Sequence, residues 1–219
     1  MTSAMPGFIA RLTRPFTTAT SLGISAENGA SAAAAVPEGA QKATVAAGCF
    51  WGVEHIYRKH FEGKGLYDAR VGYIGGDTAN PSYRAVCSGS TGREYFLSGW
   101  GDAEATQITF DPARVTYREL LEFFYRIHDP TTRNRQGNDA GTQYRSGIFF
   151  HGPEQEAVAR EVTAAADAQW YGGPGKITTQ VVAAGQWWDA EDYHQLYLDK
   201  NPAGYQCPSH YVRDFAPLK

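Results

Sequence analysis

Apolar residues along the chain change period several times, and each change marks an element. Residues 44–47 are a short apolar run closed by Gly48, which predicts a buried strand. Over residues 50–61 apolar positions recur at helical spacing, which predicts an amphipathic helix. Residues 66–73 alternate like a strand and stop at Gly75-Gly76, and residues 103–110 alternate and stop at Asp111-Pro112. Thr116-Tyr117-Arg118-Glu119 is a capping box, opening a helix that runs to Ile127. Residues 145–151 read as a strand, and Pro153 opens a long helix to about Gln169. Residues 177–184 read as a further strand and 190–199 as a short helix.

The order is βαββαβ followed by αβα. Its first six elements follow the split βαβ pattern, so the predicted class is α+β, a ferredoxin-like α/β sandwich with a central mixed sheet. Two stretches, 72–92 and 129–144, are rich in Gly and polar residues. They read as long functional loops, where binding and catalysis usually sit.

Composition narrows the function classes. Of 219 residues, 42% are apolar and 20% charged, enough to bury a core without disulfides or metal. Lys and Arg number 20 against 23 Asp and Glu, so no polyanion-binding balance is visible and no nucleic-acid role is expected. No apolar run approaches the ~20 residues that cross a bilayer, so no membrane role is expected either. Three cysteines, Cys49, Cys87 and Cys207, contain no Cys-x-x-Cys pair and cannot build a secreted disulfide framework. Their number fits a cytoplasmic chain with buried or reactive thiols. Residues 1–42 differ from the rest. Arg11 and Arg14 are the only charges before Glu27, and Ser and Thr are frequent, so the segment reads as a flexible tail or a mitochondrial transit peptide ahead of a single domain at 43–219.

Gly48-Cys49-Phe50-Trp51-Gly52 carries the strongest chemical signal. It places Cys49 at a strand-to-helix junction, where the helix dipole and free N–H groups favour a thiolate. Read alone, Cys49 is either a structural cysteine or a reactive one. The flanking glycines favour the second reading, by letting a ligand approach backbone and sulfur closely.

This pentapeptide resembles the active-site signature of the A-type peptide methionine sulfoxide reductases. Other stretches similar to that family follow in order: Val71-Gly72-Tyr73-Ile74-Gly75-Gly76, Asn80-Pro81-Ser82-Tyr83-Arg84, Val86-Cys87-Ser88-Gly89 and His128-Asp129-Pro130. Then come Arg135-Gln136-Gly137-Asn138-Asp139, Gly141-Thr142-Gln143-Tyr144-Arg145-Ser146, Ala190-Glu191-Asp192-Tyr193-His194-Gln195 and Lys200-Asn201-Pro202. Together they span residues 43–207.

The resemblance implies a thiol-dependent oxidoreductase that reduces methionine S-sulfoxide, in proteins and as the free amino acid. Cys49 would attack sulfur, Phe50 and Trp51 would line a slot for the methyl group, and Tyr83 and Tyr144 would hydrogen-bond the oxygen. Asp139 would orient water or Tyr144, and His194 would support the site from behind. A carboxylic acid kept neutral by burial would protonate the oxygen. In the family, Cys-Ser-Gly-x-Thr-Gly runs straight into His-Ala-Glu, whereas here residues 93–101 intervene before Asp102-Ala103-Glu104. Glu104 starts the alternating strand, whose register fixes side-chain direction, so it is assigned as the acid over its rival Glu94.

Reduction would leave Cys49 as a sulfenic acid, which Cys207 in the turn-rich tail would convert to a disulfide. Cys87 is expected to be buried and inert. No cofactor is expected to be bound. Thioredoxin is the expected electron donor and a monomer the expected state. Two other readings remain open: a cysteine hydrolase built on Cys49, His194 and Asp139, and a module that binds sulfoxide without turnover. Cys207-x-x-His210 supplies only two ligands for zinc.

Overall fold

The first strand, β1 (Gln41–Ala47), begins before the apolar run, because Gln41, Lys42 and Ala43 already pair with Phe110, Thr109 and Ile108. The computed structural model describes residues 1, 36–92 and 101–219. Most of the segment read as a tail or transit peptide, most of the 93–101 insertion, and Glu94 lie outside the described residues. Residues Ala35–Lys219 make one compact unit.

In chain order follow α1 (Phe50–Phe61), β2 (Leu66–Ile74), α2 (Tyr83–Cys87), β3 (Ala103–Phe110) and α3 (Tyr117–Ile127). Next come a two-residue hairpin, β4 (Arg135–Gln136) and β5 (Asp139–Ala140), then β6 (Ser146–Phe150) and α4 (Pro153–Gln169). The chain closes with β7 (Gln180–Ala183), β8 (Trp187–Asp189) and α5 (Tyr197–Lys200). The main sheet has the order β7-β6-β1-β3-β2-β8. Its inner four strands, β6-β1-β3-β2, are antiparallel neighbours in the split βαβ arrangement, as the element order predicts. α4 then returns the chain so that β7 lies parallel to β6, which makes the sheet mixed.

Alternation along the strands sorts the two faces. Val45, Ala47, Ile108, Phe110 and Ile148 turn toward α1, α3 and α4, where they meet Val53, Tyr57, Leu120, Leu121, Phe124 and Val162. Fully burying side chains of this size contributes roughly 1.5–3 kcal/mol each, so this face holds the fold together. The Tyr57 hydroxyl donates to the Leu120 carbonyl at 2.8 Å and ties α1 to α3. The capping box forms as read: the Glu119 amide donates to Thr116 Oγ1 at 3.2 Å, and the Thr116 amide donates to Glu119 Oε2 at 2.7 Å.

Two readings of the pattern need correction. The helix expected over 190–199 is confined to Tyr197–Lys200. Upstream of it, Gln195 instead lies along β2, where its Oε1 accepts from the Val71 amide at 3.0 Å and its Nε2 donates to the Val71 carbonyl at 2.8 Å. The strand expected over 177–184 shrinks to Gln180–Ala183, because Thr178 turns aside to donate its amide to the Pro130 carbonyl. Finally, α2, β8 and the small hairpin lie in segments too short for periodicity to register.

Candidate active site

Gly48 sits at φ +89°, a conformation that side chains rarely adopt, and it turns β1 sharply into α1. Cys49 is therefore the N-cap residue of α1 and is almost fully buried. Burial pushes its thiol well above the ordinary range, and the charge of Glu104 adds to the push. The Trp51 amide, and less strongly the Gly52 amide, act the other way without reversing it. The thiolate expected from helix position is thus overruled by desolvation: the resting group is a thiol.

Facing it is Glu104. Period-two alternation along β3 puts Glu104 on the same face as Ile108 and Phe110, under α1. Its Oε2 accepts from the Phe50 amide at 3.2 Å, and burial raises the carboxyl to about 8 even though that hydrogen bond favours the charged form. At neutral pH Glu104 carries a proton, as the acid reading requires.

A cleft of about 280 Å³ opens between these two groups, lined by Cys49, Phe50, Trp51, Tyr83, Glu104, Asp139, Tyr144 and Tyr205. Every residue assigned from the sequence except Cys207 lines it. Tyr83 opens α2, and Glu191 sets its place: Oε1 accepts from the Tyr83 amide at 3.0 Å while Oε2 accepts from the Tyr73 hydroxyl at 2.8 Å. Tyr144 ends a short 3₁₀ turn just before β6. Burial pushes both phenols up, so each keeps a hydroxyl proton to donate. The indole of Trp51 donates to His194 Nδ1 at 3.0 Å and stacks on Tyr197 with ring centroids 3.7 Å apart. His194 is thus a buried prop for the aromatic wall.

Asp139 departs from expectation. Both its oxygens accept from the Tyr205 hydroxyl at 3.0 Å, so its side-chain partner is a phenol of the C-terminal tail and not Tyr144, while a role toward water is not touched by this contact. Tyr205 escaped the sequence reading because nothing local marks a tyrosine in a turn-rich tail; its only signal was proximity to Cys207. Cys87 is also corrected. It is half-buried, and its thiol lies beside the Tyr83 side chain.

Cys207 is buried outside the cleft, its thiol donating to the Gln136 carbonyl at 3.4 Å and lying 3.3 Å from Ser209 Oγ. All three cysteines are free thiols. Gly48 and Gly52 also make room for other parts of the chain. A Cβ on Gly48 would stand 2.6 Å from the Gln136 side chain, and one on Gly52 would stand 2.3 Å from His210 Nδ1. The glycines admit the chain's own loop and tail.

The sequence model of the family described as Peptide methionine sulfoxide reductase matches residues 41–216, the whole of the sheet and the tail. The chain belongs to the peptide methionine sulfoxide reductase family. It is 50% identical over 174 residues to the "Probable peptide methionine sulfoxide reductase" of Schizosaccharomyces pombe, across 79% of this chain and 96% of the relative. Reduced Mxr1 from Saccharomyces cerevisiae superposes with a TM-score of 0.72 at 42% identity, covering 81% of this chain and 94% of that one. A crystal structure of Mxr1 in complex with Trx2 matches with a TM-score of 0.54 at 28% identity, over 84% and 97% of the two chains.

A methionine sulfoxide reductase needs a nucleophile for sulfur, an acid for oxygen and an apolar slot for methyl, and the cleft offers a candidate for each. The hydrolase reading loses its geometry: His194 Nδ1 is taken by Trp51 and Asp139 by Tyr205, so neither is disposed to activate Cys49.

Proposed function

We propose that the reductase acts on methionine S-sulfoxide, in proteins and as the free amino acid, through Cys49 and Glu104, with Cys207 and thioredoxin regenerating the thiol. The observation that carries this reading is Glu104: a buried carboxyl raised to about 8 shares one cleft with a buried thiol that is also protonated. Both protons are held until a sulfoxide arrives.

The chemistry then balances. The sulfoxide oxygen takes hydrogen bonds from Tyr83 and Tyr144 and the proton of Glu104, which makes sulfur electrophilic. Cys49 attacks sulfur, and its own proton passes to the Glu104 carboxylate. As the S–O bond breaks, oxygen passes to Cys49; methionine leaves and Cys49 remains as the sulfenic acid. Glu104 ends protonated, as it began, and a positioned acid of this kind typically contributes 10²–10⁴-fold.

Selectivity for one epimer follows from three directions fixed at once. Oxygen faces the phenols and Glu104, methyl faces Phe50 and Trp51, and Cys49 approaches along the remaining open side. Only one hand of the sulfoxide then leads the rest of the residue out to solvent. Cys207 condenses with the sulfenic acid to give a disulfide and water, and a thioredoxin dithiol reduces that disulfide by exchange. The Mxr1–Trx2 complex supports this donor. The cleft is lined by residues of one chain, so the proposed reaction requires no second subunit, in keeping with the monomer read from the sequence.

The test is a peptide carrying resolved S- or R-sulfoxide, incubated with thioredoxin and followed by mass for loss of one oxygen. Wild type should reduce the S form, and Glu104→Gln should be slowed at the first turnover. Binding of oxidised peptide without loss of oxygen would leave the non-catalytic module as the reading.

A further inference from the structure

His210 lies three residues beyond Cys207 and takes no part in the reaction just described, yet it is half-buried against the turn that presents Cys49. Its Nε2 donates to the Ala47 carbonyl at 2.7 Å, across 163 residues of chain. Ala47 is the last residue of β1, two positions before Cys49. Nδ1 is buried with no hydrogen-bond partner and fills the space that a side chain at Gly52 would occupy. The ring is neutral at physiological pH, since burial lowers its pKa, so one N–H is present and Ala47 receives it.

The same imidazole is joined closely to the second thiol. The His210 amide donates to the Cys207 carbonyl at 3.0 Å and closes a tight turn around Pro208 and Ser209. The next anchor downstream is Arg213, whose amide and Nη1 both donate to the Arg126 carbonyl at the end of α3. Upstream, Tyr205 is clipped to Asp139. Cys207 therefore sits between two side-chain fastenings, Tyr205 on Asp139 and His210 on Ala47.

We propose that His210 is a positioning residue for disulfide formation: it pins the tail to the N-terminal turn of α1, so that Cys207 meets the Cys49 sulfenic acid within a short tether. This rests on the assignment of Cys49 and Cys207 above. In that step the Cys207 thiol attacks Cys49 sulfur, an S–S bond forms, the S–O bond breaks, and hydroxide leaves as water with the thiol proton. No other oxidant or reductant is needed. For the step to occur, Cys207 must leave the Gln136 carbonyl and Ser209. With His210 in place, three residues separate thiol from pin, a reach of about 10 Å at full extension. Without it, and once the Ser209 hydroxyl has let go of Gln136 Oε1, the downstream tether runs six residues to Arg213, about 20 Å. With the Tyr205 hydroxyl also released from Asp139, doubling the radius enlarges the searched volume about eightfold, so the local concentration of the thiol falls by about that factor.

The experiment is single-turnover kinetics on the full chain with an oxidised peptide, in wild type, His210→Ala and His210→Gln. Sulfenic acid formation is followed by chemical trapping and disulfide formation by loss of free thiols. His210→Ala should form the sulfenic acid within about twofold of wild type and close the disulfide about tenfold more slowly. His210→Gln keeps an N–H at similar reach and should recover most of that rate, which a role in filling space alone would not produce. An unchanged disulfide rate in His210→Ala, an equal slowing of both steps, or failure of His210→Gln to rescue would overturn the pin. Cys207→Ser, run alongside, should lose recycling by thioredoxin. Persistent recycling there overturns the assignment of Cys207 and this proposal with it, whereas a fast His210→Ala beside a dead Cys207→Ser overturns the pin alone.

Discussion

The backbone amide of Phe50 donates to Oε2 of Glu104 at 3.2 Å, joining the residue after the nucleophile to the proposed acid across 54 residues of chain. This single contact fixes both reacting groups to the first turn of α1. It also favours the charged carboxylate, yet burial, with a smaller push from the charge of Asp139, raises Glu104 to about 8.

The first prediction concerns pH and Glu104. The acid is competent while protonated, so single-turnover formation of the sulfenic acid should fall as pH rises through about 8. Glu104→Gln should cut the rate at neutral pH by about 10²–10⁴-fold and lose that pH dependence. Stability should follow the same group. Its folded pKa is raised from 4.5, so its contribution is fully present below 4.5 and is lost as pH rises through about 8. Urea unfolding across that window should show wild type weakening relative to Glu104→Gln. Parallel curves would mean that Glu104 is already ionised.

A second prediction reverses an ordinary rule. Gly to Ala inside a helix usually stabilises by roughly 0.5–1 kcal/mol. At Gly52 the new Cβ would stand 2.3 Å from His210 Nδ1, so Gly52→Ala should destabilise and expel the tail. Thermal unfolding and protease cleavage near residues 205–212 report both effects. A higher melting temperature with an intact tail would contradict the contact.

The third prediction tests the aromatic wall. His194→Phe removes the acceptor for the Trp51 indole and leaves a part-buried N–H unpaired, a cost toward the low end of about 1–3 kcal/mol. Discrimination between methyl and larger alkyl sulfoxides should weaken, and His194→Asn, which offers an oxygen near the position of Nδ1, should restore it. Equal proportional losses on both substrates would place the methyl slot elsewhere.

Cys87 supplies the fourth. Its thiol lies beside the Tyr83 side chain, and serine keeps a small polar group at that spot. Cys87→Ser should retain recycling by thioredoxin, with any loss tracking the melting temperature. Activity abolished at unchanged melting temperature would make Cys87 a working thiol and not a neighbour of one.

Much of this enzyme was determined by its sequence alone. The order of elements, the Thr116–Glu119 cap and the register that turns Glu104 toward α1 are local properties, because a period of two or 3.6 residues states which face of a strand or helix is buried. Side-chain identity likewise declared the chemistry available at Cys49, Phe50 and Trp51. What periodicity cannot state is which distant segment covers a face. The return of His210 to Ala47, the clip of Tyr205 on Asp139 and the hold of Gln195 on β2 are contacts between residues 66 to 163 positions apart, and only the folded chain brings them together. The protonation of Cys49 belongs with them. Helix position, legible in sequence, argues for a thiolate, but desolvation depends on everything packed around the sulfur, and in the tertiary structure that larger effect decides the outcome.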